Sequence, residues 1–504
     1  MMKADIRYTV IFIPLIPFTG CKGKVEAKPN ILFVIADDQS FPHASAYGNT
    51  MISTPGFDFV ASQGALFTNA YVTSPGSSPS RASILTGLYP WQLESAGTHA
   101  SSFPVGYVCF PDILQKNGYQ IGYTGKGWGP GDWKVSGRPY NPAGHEYNDE
   151  KLIPPYGGIS KIDYAANFKK FLGKRKKKQP FYFWFGAHEP HRPYEKESWK
   201  EAGYSLDNAK SVGFLPDNDS IKSDLLDYAV EIEWFDNQLL QCIEELKRIG
   251  EFKNTIIIVT ADNGMAFPRA KANCYDAGIH VPLAICWLDK FKQSQVIEAL
   301  VSAVDFAPTI IEAANLKSDI PYSGKSLIPL LTSGINNSEN VIFAGRERHT
   351  HARYNNTGYP VRCIRWKNYL LIRNFHPERW PAGDPQELSL NNEIRKQDNG
   401  YFDIDSSPSK EFLIDHQNEK EIAPFFRAAV DKRSEYELFD LKNDPDCMIN
   451  LVENSSYTDV VMEMKARLTK KLISTRDSRL GENPEIWETY PRLEGRMRNF
   501  PETD

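Results

Sequence analysis

Four hydrophobic runs along the chain each stop abruptly at polar residues. The run 30–36 ends in Asp37-Asp38, 119–124 in Gly125-Lys126, 181–185 in Gly186-Ala187-His188-Glu189-Pro190-His191, and 255–260 in Ala261-Asp262-Asn263-Gly264. Near-continuous β-branched and aromatic runs of this length predict strands buried on both faces. Between them Leu225, Ala229, Ile232, Phe235, Leu239, Cys242 and Leu246 recur at steps of three and four, which predicts an amphipathic helix over 225–249. Such alternation implies an α/β domain with a mostly parallel central sheet flanked by helices. Ligands of these sheets gather beyond the carboxyl ends of the strands. The charged groups at the four strand ends are therefore expected to converge on one site.

After Gly324-Lys325-Ser326-Leu327 the pattern changes. Short runs at 363–373 and 436–440 predict antiparallel strands, and 458–473 predicts a helix. A chain of 504 residues exceeds what one core usually organises. The simplest division is a catalytic domain over 29–360 and a smaller C-terminal α+β domain over 361–504. At the N-terminus Lys3 and Arg7 precede an apolar run over 8–18 that is too short to span a bilayer and suits the core of a signal peptide. Phe18-Thr19-Gly20-Cys21 resembles a bacterial lipobox. Residues 1–21 are thus expected to direct export and Cys21 to carry a lipid, anchoring the protein in the periplasm or at the outer membrane. A plain secretory signal is the alternative.

Composition narrows the function further. With 41% hydrophobic and 24% charged residues the chain is ordinary for a globular protein, and a net charge of −5 offers no general nucleic-acid face. The basic run 174–178 reads as a solvated loop. Six cysteines besides Cys21 are widely spaced without a CxxC, so neither zinc nor a disulfide scaffold is signalled.

The densest chemical signal is Ser77-Ser78-Pro79-Ser80-Arg81-Ala82-Ser83-Ile84-Leu85-Thr86-Gly87. Read locally, Ser78 is a helix N-cap, Pro79 the first helical residue and Gly87 the end. The same segment resembles the sulfatase signature, in which Cys or Ser, any residue, Pro, Ser or Ala, and Arg lead to Thr-Gly. That resemblance implies an alkaline-phosphatase-like fold and oxidation of Ser77 to formylglycine by a serine-type maturase. A hydrated aldehyde carries two hydroxyls on one carbon: one attacks sulfur, and the other expels sulfate as the aldehyde re-forms. A helix N-terminus suits an anionic substrate, and Arg81 would hold hydrate and sulfate without losing its charge.

Asp37-Asp38 and Asp262-Asn263 each read as turn or cap residues, or as oxygen ligands of a hard cation such as Ca²⁺. Their common place at strand ends favours the cation, and the resemblance implies that these four, with the formylglycine, hold one calcium ion. It further implies that Lys126, closing a "GY…GK" segment, and Lys271, before "Y-x-x-G", bind sulfate, and that His191 protonates the leaving group. His188 reads as a supporting or core histidine, or as a substrate contact. Trp128 stands where many sulfatases have a histidine, and could pack on a sugar face.

Residues 78–83, 85–87, 188–192 and 261–268 resemble heparan N-sulfatases most closely. The cationic loop 346–353, with Arg346, His349 and Arg353, could grip carboxylates or sulfates of a polysaccharide, or be a surface loop paired to acidic neighbours. The leading expectation is hydrolysis of N-linked sulfate on glucosamine. The alternatives are an O-sulfatase on a uronate-bearing host or algal polysaccharide, a phosphatase or phosphodiesterase using unmodified Ser77, and an inactive glycan-binding lipoprotein.

Overall fold

The computed structural model describes Met2 and residues 27–335, 341–388, 394–397 and 400–493. The expected signal segment with Cys21 lies outside the described residues. A seven-stranded sheet runs in the order Gln120–Gly125, Phe181–Gly186, Asn30–Ala36, Thr255–Ala261, Leu283–Cys286, Ala65–Phe67, Gln295–Ile297. The first four are parallel, and Leu283–Cys286 runs against both of its neighbours. These four are the strands that the hydrophobic runs predict. Every residue of Asn30–Ala36 and Thr255–Ala261 is buried, as expected of strands covered on both faces.

The predicted 225–249 helix spans Asp219–Arg248. It begins earlier than the hydrophobic period suggests because the Asn218 side chain accepts a bond from the Ile221 amide at 3.1 Å. Partway along, the Asp236 carboxylate accepts bonds of 2.7 Å from the amides of Gly56 and Phe57 and so caps the helix Pro55–Gln63. No helix among the described residues is long and apolar enough to cross a membrane.

A second, antiparallel sheet joins Val341–Arg346, Val361–Trp366, Tyr369–Asn374 and Tyr436–Asp440 in that order. Its first strand falls within the expected catalytic domain, so the second structural unit starts before residue 361. The reason is local pairing: Val341–Arg346 forms a full ladder with Val361–Trp366. The helix Thr458–Ser474 covers this sheet with Val461, Met464, Leu468 and Leu472. Between the two sheets the Gly345 amide bonds to the Thr73 carbonyl at 2.9 Å, tying the second sheet to the segment that leads into Ser77.

Glu231, inside the long helix, is buried, and its Oε2 has no hydrogen-bond partner. Burial, then the charges of Glu189 and Asp227, pushes its carboxyl from the usual 4.5 to about 9. Between those values the unfolded chain releases a proton that the folded chain keeps, so this group makes stability fall as pH rises through that window. Glu231→Gln should flatten the slope, gaining about 4 kcal/mol over wild type at pH 8 relative to pH 5. Urea unfolding at the two pH values checks this, and parallel slopes would exclude it.

Candidate active site

The carboxyl ends of the four parallel strands place their polar residues together. Ser77 opens the helix Ser77–Thr86, whose N-cap is Gly76 in extended conformation. Ser78 is therefore not the cap: its Oγ accepts a bond from the Ala100 amide at 3.1 Å and anchors the neighbouring loop. Gly87, with φ 70°, ends the helix as expected.

The Ser77 hydroxyl lies 2.9 Å from Asp37 Oδ1 and 3.4 Å from Asn263 Oδ1, and Lys126 Nζ approaches it to 3.0 Å. Lys126 also meets Asp37 Oδ2 at 2.5 Å. Its position depends on two glycines. A Cβ on Gly125, which has φ +72°, would meet the Gly186 carbonyl oxygen at 1.9 Å, and one on Gly186 would meet the Lys126 carbonyl oxygen equally closely.

Arg81, fully buried one turn below Ser77, donates from Nε to Asp262 Oδ2 at 2.7 Å. Its Nη1 donates to the carbonyls of Lys126 and Gly127 at 2.7 and 3.1 Å. Lys271 Nζ joins Asp38 Oδ2 at 2.6 Å and Asp405 Oδ2 at 3.1 Å. Four carboxylates, Asp37, Asp38, Asp262 and the less buried Asp405, thus face three cations. Burial raises Asp37, but Lys126 and Arg81 overcome it and hold its carboxyl well below the usual range. Asp262 is pushed up instead, by burial and then by Asp37.

Asp37, Asp38 and Asp262 each offer a carboxylate oxygen, and the three oxygens lie within 4.8 Å of one another. Asn263 Nδ2 donates to Asp38 Oδ1 and to the Gly264 carbonyl, at 2.7 and 2.9 Å, which turns its oxygen toward Ser77. This all-oxygen set fits a hard divalent cation.

His191 Nδ1 bonds to the Arg192 carbonyl at 2.6 Å, which fixes Nδ1 as the protonated nitrogen. Its Nε2 faces Asp38 Oδ2 at 3.9 Å on the solvent side of the cluster. His188 is exposed at the rim, and its amide donates to Tyr164 Oη at 3.0 Å.

Other expectations are corrected. Trp128 is not an open sugar platform: its indole is buried, donates to the Ser78 carbonyl at 3.0 Å and packs edge-on against Phe103. Arg346, His349 and Arg353 form neither an exposed anion grip nor a surface loop. All three are buried, and both guanidiniums converge on Asp403 Oδ2 at 2.8 and 2.7 Å, because a buried carboxylate and buried guanidiniums neutralise one another. His349 Nδ1 lies 3.4 Å from Asp403 Oδ1; its ring also packs on His99 at 4.5 Å between centroids, and a Cβ on Gly76 would touch its Cδ2 at 3.1 Å.

Three groups near the cluster escape the sequence reading: His99, Asp403 and Asp405. The last two lie in the turn segment Phe402-Asp403-Ile404-Asp405, where a pair of acids set between apolar residues is the signal that could have drawn attention to them. No such pattern marks His99.

Comparisons with known proteins bear on the family of the chain. The family model "Sulfatase" matches residues 29–316, and "N-sulphoglucosamine sulphohydrolase, C-terminal" matches 269–397. Human N-sulphoglucosamine sulphohydrolase is 24% identical, over 90% of this chain and 92% of its own. An ulvan-active sulfatase of Formosa agariphila is 27% identical, over 89% of this chain and 80% of its own. The solved structure of BT4656 in complex with its substrate D-glucosamine-2-N,6-O-disulfate has a TM-score of 0.64 at 20% identity, covering 91% of this chain and 99% of that one. With more than half of its length matched by that first model, the chain belongs to the sulfatase family of sulfuric ester and sulfamate hydrolases.

Proposed function

We propose that the protein hydrolyses the N-linked sulfate of glucosamine residues in heparan-type saccharides, using a formylglycine made from Ser77. The observation that carries the reading is the setting of the Ser77 hydroxyl. It sits at a helix N-terminus, with Asp37 at 2.9 Å, Lys126 at 3.0 Å and Arg81 buried beneath it. Oxidised by a serine-type maturase and hydrated, this residue supplies one hydroxyl to attack sulfur and a second to expel sulfate. Lys126, Lys271 and Arg81 spread the charge that grows on the sulfuryl oxygens. As the S–N bond breaks, His191 in its imidazolium form, with Nδ1–H held by the Arg192 carbonyl, hands its Nε2 proton to the leaving nitrogen and is left as the neutral imidazole. Asp37, Asp38, Asp262, Asn263 and residue 77 would hold one Ca²⁺, which supplies positive charge for the sulfate.

The choice of N-linked sulfate rests on the match of residues 269–397 to the N-sulphoglucosamine sulphohydrolase C-terminal model and on the human relative. The ulvan-active relatives and an N-acetylgalactosamine-6-O-sulfatase of Bacteroides thetaiotaomicron support the second reading, an O-sulfatase on a uronate-containing host or algal polysaccharide. A phosphonate monoester hydrolase of Agrobacterium radiobacter shares the fold at a TM-score of 0.61. Phosphorus chemistry is nevertheless the weaker reading, because the strand ends offer one acidic cluster without the histidines of a two-metal site. The basic N-terminus, the short apolar run and Cys21 support export, with a lipid as the membrane tether.

Mass spectrometry of the Ser77 peptide, from a host with a serine-type maturase, should show a residue lighter by two hydrogens. Ser77→Ala should lower turnover of glucosamine N-sulfate by at least about a thousandfold; persistent turnover would remove Ser77 as nucleophile. Ca²⁺ at about a hundred times its dissociation constant should stabilise the chelated protein by about 2.7 kcal/mol. Thermal melts should show that gain in wild type and not in Asp38→Asn, and an equal shift in both would move the cation elsewhere.

A further inference from the structure

Lys271 is shared between two carboxylates of different exposure. Asp38 is fully buried, whereas the Asp405 side chain keeps 26% of its surface accessible. Asp38 alone suffices to neutralise the ammonium, so Asp405 adds a second negative charge on the outer side of the pair. No donor among the described residues engages its other oxygen, Oδ1, and its charge interacts most strongly with Lys271, then with His191 and His349.

The segment carrying Asp405 is pinned on both sides. Asp403, two residues before it, is held by Arg346, Arg353 and the Thr350 amide at 2.7–2.9 Å. Ser409, following it, donates to Asp224 at 2.5 Å, and Asp224 takes two bonds of 2.7 Å from Arg192, the neighbour of His191. Asp405 and His191 are thus fixed on the same rim, and a carboxylate set so firmly beside an anion pocket has a selective consequence. It accepts hydrogen bonds from hydroxyl or amino groups and repels a second anion.

We propose that Asp405 is a specificity-determining residue: it accepts a hydrogen bond from a sugar hydroxyl or amine beside the scissile sulfate and rejects substrates carrying another sulfate or carboxylate there. This rests on the sulfatase reading above and deepens it, by making a singly sulfated unit with a free neighbouring donor the substrate class.

The test measures kcat/KM on three probes: glucosamine N-sulfate, its 2-N,3-O-disulfated counterpart, and 4-nitrophenyl sulfate, which has no sugar. Asp405→Asn should lower the ratio of glucosamine N-sulfate to nitrophenyl sulfate at least fivefold, chiefly through KM. It should also narrow the preference for the singly over the doubly sulfated sugar at least fivefold. A smaller change in either ratio overturns the proposal; equal losses on sugar and aryl sulfate would mean that Asp405 only orients Lys271. If Asp405→Asn fails to fold, Asp405→Glu, which keeps the charge but displaces the acceptor, is read by the first ratio. Wild-type protein with Ser77 oxidised but inactive on all three probes would refute the sulfatase reading itself, a failure separable from one confined to the variant.

Discussion

The site depends on a balance of buried charge. Asp37, Asp38 and Asp262 are each almost wholly removed from water, and carboxylates so placed repel one another unless cations offset them. Arg81 comes from a helix, Lys126 from a strand end and Lys271 from the loop after Thr255–Ala261, and each lands on a different part of the cluster. Leaving one of the three acids unpaired would cost on the order of 3–5 kcal/mol. Under the proposed function the same charge would have a second use. If a hard cation held the acids, the Lys126 and Lys271 ammoniums would be available to sulfate oxygens, so groups that offset the buried acids here would also receive the substrate.

How much of this was legible in the chain follows from where each signal lies. Strands buried on both faces announce themselves by continuous apolar runs, and strand-end residues must then share one edge of the sheet, so the predicted convergence of Asp37, Lys126, His191 and Asp262 needed only the α/β pattern. Helix starts were less readable. Asn218 lies ahead of the first clear apolar repeat, and Ser78 looks like a cap but spends its hydroxyl on the loop at Ala100. The burial of the charged loop 346–353 is not legible in sequence, which shows charge but not partners. Its buried counter-ion, Asp403, lies some fifty residues further on.

The second sheet is more than an appendage. Gly345 ties its first strand to Thr73, Arg346 and Arg353 hold Asp403, and His349 fills the space behind Gly76. The C-terminal region therefore forms the back wall of the Ser77 segment, while residues 402–405 form part of its rim. A domain boundary at residue 361 divides this sheet, whose first strand, Val341–Arg346, lies between the point where the helix-strand alternation fades and the first obvious antiparallel run.

Trp128 shows how a departure from the family pattern can be read physically. Where many sulfatases have an imidazole, this chain has an indole whose one donor is already committed to the Ser78 carbonyl. An indole N–H has no acceptor lone pair and cannot take a proton. The described groups within hydrogen-bond reach of the Ser77 hydroxyl are Asp37, Asn263 and Lys126. An amide oxygen is a poor base, so under the proposed function the groups placed to exchange a proton with residue 77 are the Asp37 carboxylate and Lys126, which are themselves joined at 2.5 Å. Trp128 therefore ties the first helical turn to the loop that follows Lys126 and has no proton chemistry of its own to offer.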